Sequence, residues 1–380
     1  MSFLGNPSFV IGAISLVLGF AAGFVMHRSD FCIAGMFRDL FLFRRTAMIK
    51  SFILLVVSSA LLFEAARRGG LVSVPFPLLY APTAGNLIGG LLFGIGMVLA
   101  GGCVVGTLYK LGSGSALSLT AFCGLVLGSG LYADFHPAWA GFAKSTLLVP
   151  GKVTMAQILG VDPLAPVLVV SVPALVLLYR WWKKGELLRP AFAAGYLQPY
   201  QAALALSLIN AASYVLISMP MGVTSTFTKI AAFIDSLLFP GHFESLAYYK
   251  NVPLNTVNNL TGMVLQGGVG PAFDALSLIQ FPLVFGIIAG SALSAFLLKE
   301  FTIQFRVPLR QYVLAGIGGM VMGLASRMAP TCNVWHLMGG LPILAASSIL
   351  FLLGMLAGSW LGGRLLLKVL ARGGSSAVVA

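Results

Sequence analysis

Long apolar runs separated by short polar segments dominate the sequence. Nine of these runs approach the length of about 20 helical residues that a hydrocarbon core of about 30 Å requires. The runs lie at 8–27, 47–66, 84–101, 114–134, 165–182, 196–218, 278–298, 311–328 and 341–363. This pattern predicts an all-α polytopic membrane protein with about nine transmembrane helices.

Four further apolar segments are too short to cross a bilayer. These segments lie at 30–43, 103–112, 222–235 and 332–340. Their length favours re-entrant or interfacial half-helices over spans. Backbone can break at membrane depth only where protein or a water-filled path surrounds it. The short segments are therefore the predicted lining of such a path.

One of the breaks occurs twice in the chain. Residues 89–108 align without a gap with residues 318–337, and the alignment places Cys103 on Cys332. Glycine recurs in many membrane helices only because it allows close packing, as in the pair Gly19/Gly23. A cysteine at the same break in both copies favours a true internal repeat over that explanation.

The upstream half-helices correspond more loosely, with Thr224 near the place of Cys32. The second copy begins five spans after the first, so it is expected to run through the membrane in the opposite direction. Inverted repeats place a substrate path at their interface, near the bilayer midplane. The predicted organisation is 1–134 for the first inverted repeat, 135–195 for a joining loop and helix, 196–363 for the second inverted repeat and 364–380 for a cytoplasmic tail.

Composition and charge agree with a membrane protein. Only 9% of the residues are charged, against about 25% in soluble domains. The formal net charge is +13, but the basic residues lie between apolar runs, so they are interpreted as orientation signals and headgroup contacts rather than as a nucleic-acid surface. Alternating spans place 16 of the 23 Lys and Arg residues on one side and 7 on the other. The positive-inside rule then predicts an outside (periplasmic) N-terminus and a cytoplasmic C-terminus.

The four cysteines are far apart and form no C-x-x-C pair, which excludes a disulfide framework and a zinc ribbon. Cys123 lies within a smooth span and is interpreted as a small apolar filler. Soft ligands would favour Cu(I), but apart from Cys332 and His336 no Cys or His pair has the i, i+4 spacing of two ligands on one helix. We therefore expect neither a metal site nor a cofactor.

Each of the two matched cysteines follows two small or helix-breaking residues. These are Gly101 and Gly102 before Cys103, and Pro330 and Thr331 before Cys332. A half-helix is expected to start at each cysteine, and a helix N-terminus presents free N–H groups and partial positive charge to an anion. A thiol adds a weak donor and a soft sulfur surface. The combination suits a soft sulfur anion.

Few other polar groups are available along this path. Arg28 and Lys110 are expected at the cytoplasmic mouth and Arg327 near the outer mouth. For Lys110 and Arg327, snorkelling to lipid headgroups and attraction of an anion both remain open. Thr224 and Asn333 offer uncharged polar groups, although hydroxyls in membrane helices often bond only to their own backbone.

Four motifs carry a resemblance to a known family. They are HRSDFCIAGMFRDL at 27–40, GGCVVGTLYK at 101–110, MGVTSTFTK at 221–229 and APTCNVWHLMGG at 329–340. With these motifs the chain resembles the YeeE/YedE family of bacterial membrane proteins, the thiosulfate transporters and their relatives. The resemblance covers essentially the whole chain. Each motif alone is weak evidence for the family, but four motifs in register with the repeat are specific evidence for it.

The resemblance implies uptake of thiosulfate across the bacterial inner membrane, through a narrow path where three cysteines contact the ion in succession. Some relatives are linked to selenium metabolism, and some sit beside or are fused to a small TusA-type sulfur carrier, which becomes a candidate cytoplasmic partner. The expected partners are thus a small anion, the lipid bilayer and that carrier, with no nucleic acid. The candidate substrate-binding residues are Cys32, Cys103, Cys332, Arg28, Gly101, Gly102, Thr224, Thr331 and Asn333.

Two features depart from the family pattern. Asp30 stands where a small residue is expected, and it weakens anion attraction at the inner mouth unless Arg28 or Arg38 pairs with it. A long segment, 236–277, also follows the third half-helix.

A transporter without enzymatic activity is the leading hypothesis. The alternative is a membrane sulfurtransferase or redox protein whose cysteines carry persulfides, because a helix N-terminus lowers the pKa of a thiol. A third hypothesis is a structural subunit of a larger complex.

Overall fold

The computed structural model describes residues 7–189, 194–258 and 260–374. The α-helices are α1 (Pro7–Ser29), α2 (Ile33–Phe43), α3 (Ala47–Arg68), α4 (Ala84–Leu99), α5 (Val104–Gly112), α6 (Ala116–Ser145), α7 (Met155–Leu159), α8 (Leu164–Lys183), α9 (Pro199–Ile217), α10 (Thr224–Leu238), α11 (Pro240–Ser245), α12 (Ala275–Leu297), α13 (Leu309–Met328) and α14 (Ala346–Gly374). The other elements are a 3₁₀-helix (Ala247–Lys250), the strands β1 (Leu254–Val257) and β2 (Val264–Gly267), and a π-helix (Trp335–Gly340).

Eight segments of the described chain are long and apolar enough to cross a membrane. The protein is therefore a multi-pass, all-α membrane protein, which confirms the predicted fold class. The ninth predicted span, 311–328, forms the 20-residue helix α13, which is long enough to cross but less apolar. Because α13 packs against both α4 and α6, protein neighbours replace part of its contact with lipid.

All four short segments form short helices. They are α2, α5, α10 and the π-helix, and none of these four alone has the length of a span. Left-handed backbone marks three of the breaks before them, at Asp30 (φ 48°), Gly101 (φ 70°) and Thr331 (φ 87°). A non-glycine residue in this region stores about 1–3 kcal/mol of strain, which is typical of functional sites. The last helix, α14, continues to Gly374, beyond the predicted end of its span at 363.

Glycines bring the long helices into backbone contact. A Cβ added at Gly19 or Gly23 of α1 would overlap the carbonyl groups of Leu283 or Ile287 of α12. In the same way, a Cβ at Gly354 of α14 would overlap backbone of α4. Packing through small residues, which is common between membrane helices, therefore fully accounts for these glycines.

The segment after α10 forms a small cap outside the spans. It contains α11, the 3₁₀-helix and the antiparallel β1–β2 hairpin. His242 of α11 bridges two carboxylates, with Nε2 2.9 Å from Asp134 of α6 and Nδ1 3.0 Å from Asp235 of α10. Nearby, the buried Lys229 of α10 pairs with Asp274 at 2.9 Å. These contacts fix the half-helix α10 to α6 and α12.

The hydrogen bonds that His242 donates to the Asp235 and Asp134 carboxylates raise its pKa above the ordinary value of 6.5. A histidine whose pKa is raised on folding stabilises the folded state. This stabilisation is complete below pH 6.5 and is lost as the pH rises through the folded-state pKa. We therefore expect His242→Gln to lower the melting temperature in mildly acidic buffer and to have little effect in alkaline buffer, measured by thermal unfolding in detergent. An equal loss at both pH values would contradict this assignment.

Candidate functional site

The three candidate cysteines lie in the protein interior. Cys32, Cys103 and Cys332 are 5%, 3% and 0% exposed, and helical backbone begins directly after each of them. Cys103 caps α5, and its Sγ accepts a hydrogen bond from the Gly106 N–H group at 3.4 Å. By contrast, Cys123 is exposed on α6.

Two of the cysteines are immediate neighbours. The thiols of Cys32 and Cys103 lie within hydrogen-bonding reach of each other. Gly106 flanks both, because a Cβ added there would lie 2.9 Å from Cys32 Sγ and 3.4 Å from Cys103 Sγ. We refer to Cys32, Cys103 and Gly106 as the cysteine throat. Sequence reasoning missed Gly106, and its only signal was its position one turn after Cys103.

Cys332 lies where the ends of two short helices meet. Its thiol lies close to the N–H groups of Val334 and Trp335, at the start of the π-helix. A third N–H group comes from Val223, directly before α10. Two positive helix ends thus point at one sulfur atom, an arrangement that favours an anion.

Asn333 joins Cys332 to the throat. It is fully buried, it follows Cys332 in the chain, and its side chain lies beside Cys103. Neither polar atom of its amide has a hydrogen-bond partner of normal geometry among the described residues. The three cysteines are therefore parts of one continuous row.

Further polar groups around the row also lack partners. Within the described chain, the hydroxyls of Thr226, Thr228 and Thr331 and the Nε2 atom of His336 are buried without a hydrogen bond. Thr224, the first residue of α10, is 3% exposed. Buried polar groups are normally hydrogen-bonded, so a cluster of exceptions indicates a place where a ligand or solvent can bond.

A cavity opens at each end of the row. One, here called the Arg327 vestibule, has a volume of about 510 Å³ and includes Tyr80, Tyr132, Arg327 and Thr331 in its lining. Thr331 directly precedes Cys332, so this cavity reaches the row at its Cys332 end.

The other cavity, here called the Lys110 vestibule, has a volume of about 890 Å³ and includes Asp30, Tyr109 and Lys110. Lys110 and Tyr109 belong to α5, which Cys103 caps. This cavity therefore reaches the row at its throat end.

Helix α6 separates the two vestibules. Ser113, just before α6, lines the Lys110 vestibule, whereas His136 and Ala140 of α6 line the Arg327 vestibule. At about 1.5 Å per residue, the helix rises about 30 Å from its first residue to His136. That rise equals the thickness of the hydrocarbon core, so the two vestibules open at opposite ends of the spans.

Asp30 is partnered at the Lys110 vestibule. The Tyr109 hydroxyl donates to Asp30 Oδ1 at 3.0 Å, and Arg189 Nη1 lies 3.9 Å from Oδ2. Neither of the arginines suggested by the sequence takes this place. Arg38 pairs with Asp39 at 3.0 Å, and Arg28 donates to the Gly195 carbonyl at 2.7 Å.

Three remaining site candidates differ in their positions. Arg28 packs on the ring of Phe24, and the described residues that line the Lys110 vestibule do not include it. The Gly101 carbonyl accepts a hydrogen bond from Lys110 Nζ at 2.7 Å. Gly102 is buried against the first turn of α5. The two glycines therefore shape the break beside the throat, whereas Arg28 lies apart from it.

Side chains that commonly bind metals are dispersed. In the parts of the chain that the structure describes, no group of three or more His, Cys, Asp or Glu side chains is placed to hold a metal ion.

Comparison with known proteins identifies the family. A family model described as Sulphur transport matches residues 28–361. The thiosulfate transporter TsuA of Spirochaeta thermophila is 29% identical over 365 residues, covering 91% of this chain and 96% of that protein. TsuA of Escherichia coli is 26% identical over 357 residues, covering 91% of this chain and 93% of that protein. The probable transporter YedE of E. coli is 31% identical over 176 residues, covering 45% of this chain and 41% of that protein. These matches confirm the YeeE/YedE resemblance, and the chain belongs to the Sulphur transport family.

Proposed function

We propose that the chain imports thiosulfate, or a closely related sulfur or selenium anion, across the bacterial inner membrane. The observation that carries this proposal is the row of three buried cysteines between two vestibules at opposite ends of the spans. Two relatives that align with 91% of the chain are named thiosulfate transporters. Transport without catalysis is therefore favoured over a persulfide-forming enzyme and over a purely structural subunit.

The proposed path runs along the row. An anion leaves the Arg327 vestibule past Thr331, meets Cys332, passes Asn333 and Cys103, and leaves beside Cys32. At Cys332 it is offered backbone N–H groups and a weak S–H donor. Such groups hold an anion without a fixed opposite charge. Conduction requires this balance, because a site must bind strongly enough for the ion to enter and weakly enough for it to leave.

We further propose that residues 1–134 and 196–363 are inverted repeats joined by 135–195. The helix contacts support this proposal, because they occur in corresponding pairs. Helix α1 packs on α12 as α9 packs on α3, α4 packs on α14 as α13 packs on α6, and α2 packs on α14 as α10 packs on α6. The cysteine row would then lie at the interface of the repeats, where inverted-repeat transporters bind substrate.

The proposed orientation places the N-terminus in the periplasm and the C-terminus and the Lys110 vestibule in the cytoplasm, from the 16-to-7 distribution of basic residues. A divalent anion that moves inward against an inside-negative potential costs about 4.6 kcal/mol per 100 mV, twice the cost of one charge. Net uptake therefore needs consumption of the anion inside or a co-transported cation. A TusA-type sulfur carrier, docking at the Lys110 vestibule, is the proposed partner for consumption.

We expect Cys103→Ala and Cys332→Ala each to reduce the uptake of radiolabelled thiosulfate into liposomes that contain only the purified protein. Each substitution removes one hydrogen bond to the anion, and a loss of about 1.4 kcal/mol lowers the uptake rate about tenfold. Cys123→Ala is the matched control, since Cys123 is exposed on α6 away from the row. Unchanged uptake by both the Cys103 and the Cys332 variant would contradict the proposed path.

Gly106→Ala tests the width of the throat without removing a thiol. The added methyl group would lie 2.9 Å from Cys32 Sγ, so we expect uptake to fall strongly. Gly35→Ala is the control, because its Cβ would meet only Cys32 Cβ, at an ordinary contact distance of 3.6 Å. Equal uptake by the two variants in the liposome assay would show that the anion does not pass this point.

A further inference from the structure

We propose that Cys32 and Cys103 form a reversible oxidation site, at which a small peroxide converts the two thiols into a disulfide that closes the cysteine throat. The closure of a transport path rests on the proposed function, whereas formation of the bond does not. Four features support this site: the closeness of the two sulfur atoms, the backbone that carries them, the charge around them and their access to solvent.

The sulfur atoms of Cys32 and Cys103 border the same small gap. A Cβ added at Gly106 would lie 2.9 Å from Cys32 Sγ and 3.4 Å from Cys103 Sγ. The thiols are also within hydrogen-bonding reach of each other. A disulfide forms without backbone movement only where two cysteines already lie close together. Sulfur atoms that reach each other need only a short approach to bond.

Both cysteines stand at helix ends rather than inside helices. Cys32 precedes α2 with φ −129° and ψ 126°, and Cys103 precedes α5 with φ −77° and ψ −179°. Inside a helix, the preceding turn blocks one of the three side-chain rotamers. Extended backbone has no such turn beside the side chain. Either sulfur atom can therefore rotate toward the other while α2 and α5 stay intact.

The charge around the pair favours the thiolate, which is the form of cysteine that reacts with oxidants. Each thiol lies at the N-terminus of a short helix, where the partial charge is positive. The charge of Lys110 acts on Cys32 in the same sense. Asp30 has a weaker opposing effect, and its carboxylate is already paired with Tyr109 and Arg189. Electropositive surroundings of this kind are typical of reactive cysteines.

The other two cysteines differ from this pair. Cys123 is exposed on α6. The groups with the largest effect on Cys332 are backbone N–H groups and Arg327, not a second thiol. Cys32 and Cys103, by contrast, each have the other as their leading neighbour. Within the described chain, the throat pair is therefore the expected site of disulfide formation.

A small oxidant can reach the pair from the Lys110 vestibule. This cavity has a volume of about 890 Å³ and includes Tyr109 and Lys110 of α5 in its lining, and Cys103 directly precedes α5. The two cysteines themselves are only 5% and 3% exposed. Hydrogen peroxide is smaller than the anion that the path is proposed to admit, so it has a route to the throat.

The reaction consumes one peroxide for each pair of thiols. One thiolate attacks an oxygen of hydrogen peroxide, the O–O bond breaks, and a sulfenic acid forms. The hydroxide that leaves takes up the thiol proton and becomes water. The second sulfur then attacks the sulfenic sulfur, its proton joins the departing hydroxide, and a second water is released. In total, two electrons pass from the two sulfur atoms to the peroxide.

The disulfide changes the throat in two ways. It removes the S–H donors of both cysteines, which an anion would otherwise meet, and it fixes both sulfur atoms at the gap beside Gly106. A reducing dithiol reverses both changes by thiol–disulfide exchange. The oxidised throat is therefore closed, and the reduced throat is open.

The first experiment detects the bond without a transport assay. Purified protein is treated with hydrogen peroxide, its remaining thiols are blocked with N-ethylmaleimide under denaturing conditions, and its peptides are analysed by mass spectrometry. We expect a peptide with Cys32 joined to a peptide with Cys103, and loss of this product after dithiothreitol. Cys332→Ala is the control, because the proposed bond does not involve Cys332. Absence of the product, at a peroxide concentration that oxidises glutathione in a parallel sample, would overturn the proposal.

The second experiment measures thiosulfate uptake by proteoliposomes before and after peroxide, with each variant compared with its own untreated rate. Wild-type uptake is expected to fall about tenfold or more, since two hydrogen-bond donors are lost, and to recover with dithiothreitol. Cys123→Ala is expected to be as sensitive as the wild type. Cys32→Ser, which keeps a hydroxyl donor but cannot form the bond, is expected to resist peroxide. Cys103→Ser provides the same test if Cys32→Ser does not fold.

The two experiments separate the oxidation site from the proposed function. An equal loss of uptake in Cys32→Ser would overturn the closure, because inhibition would not need the pair. Unchanged wild-type uptake despite formation of the linked peptide would overturn it as well. If the reduced wild-type protein does not take up thiosulfate, the proposed function fails, and the linked peptide alone decides whether the oxidation site exists.

Discussion

Polar groups that lie at membrane depth must be satisfied by protein or by water, because lipid tails cannot hydrogen-bond them. This protein breaks its backbone at several such places and keeps the resulting helix ends inside. The N–H groups at two of these ends converge on Cys332, and a third end is capped by Cys103. The rest of the architecture serves to surround these ends. Long helices meet through glycines such as Gly23. His242 of the cap and the Lys229–Asp274 ion pair fix α10 to its neighbours.

The interior that results combines weak donors with little fixed charge. Cysteine thiols and backbone N–H groups can bond an anion, while Asn333 and neighbouring hydroxyls have bonding capacity unused by the described chain. Charge is concentrated at the two ends of the row and is arranged differently at each. At the Arg327 end the described lining residues include Arg327 and no carboxylate, whereas at the Lys110 end both acidic and basic residues line the cavity and Asp30 is held by Tyr109 and Arg189.

The sequence predicted the features that depend on local pattern. Run length distinguished α2, α5 and α10 from spans, and the repeated cysteine singled out Cys103 and Cys332. Features that depend on contacts between distant segments were not predicted. Gly106 matters because Cys32, at the start of another helix, lies against it. Asp30 is paired by Arg189, which follows α8, rather than by Arg28, which is nearer in the sequence. A single sequence contains no signal for such contacts.

The most direct test of the central claim is to locate the anion in the protein. Crystals grown with selenosulfate, in which selenium replaces the terminal sulfur of thiosulfate, would reveal the ion by anomalous scattering at the selenium edge. The account predicts an anomalous peak in the row between Cys332 and Cys103. Selenium peaks confined to positions away from all three buried cysteines would contradict it.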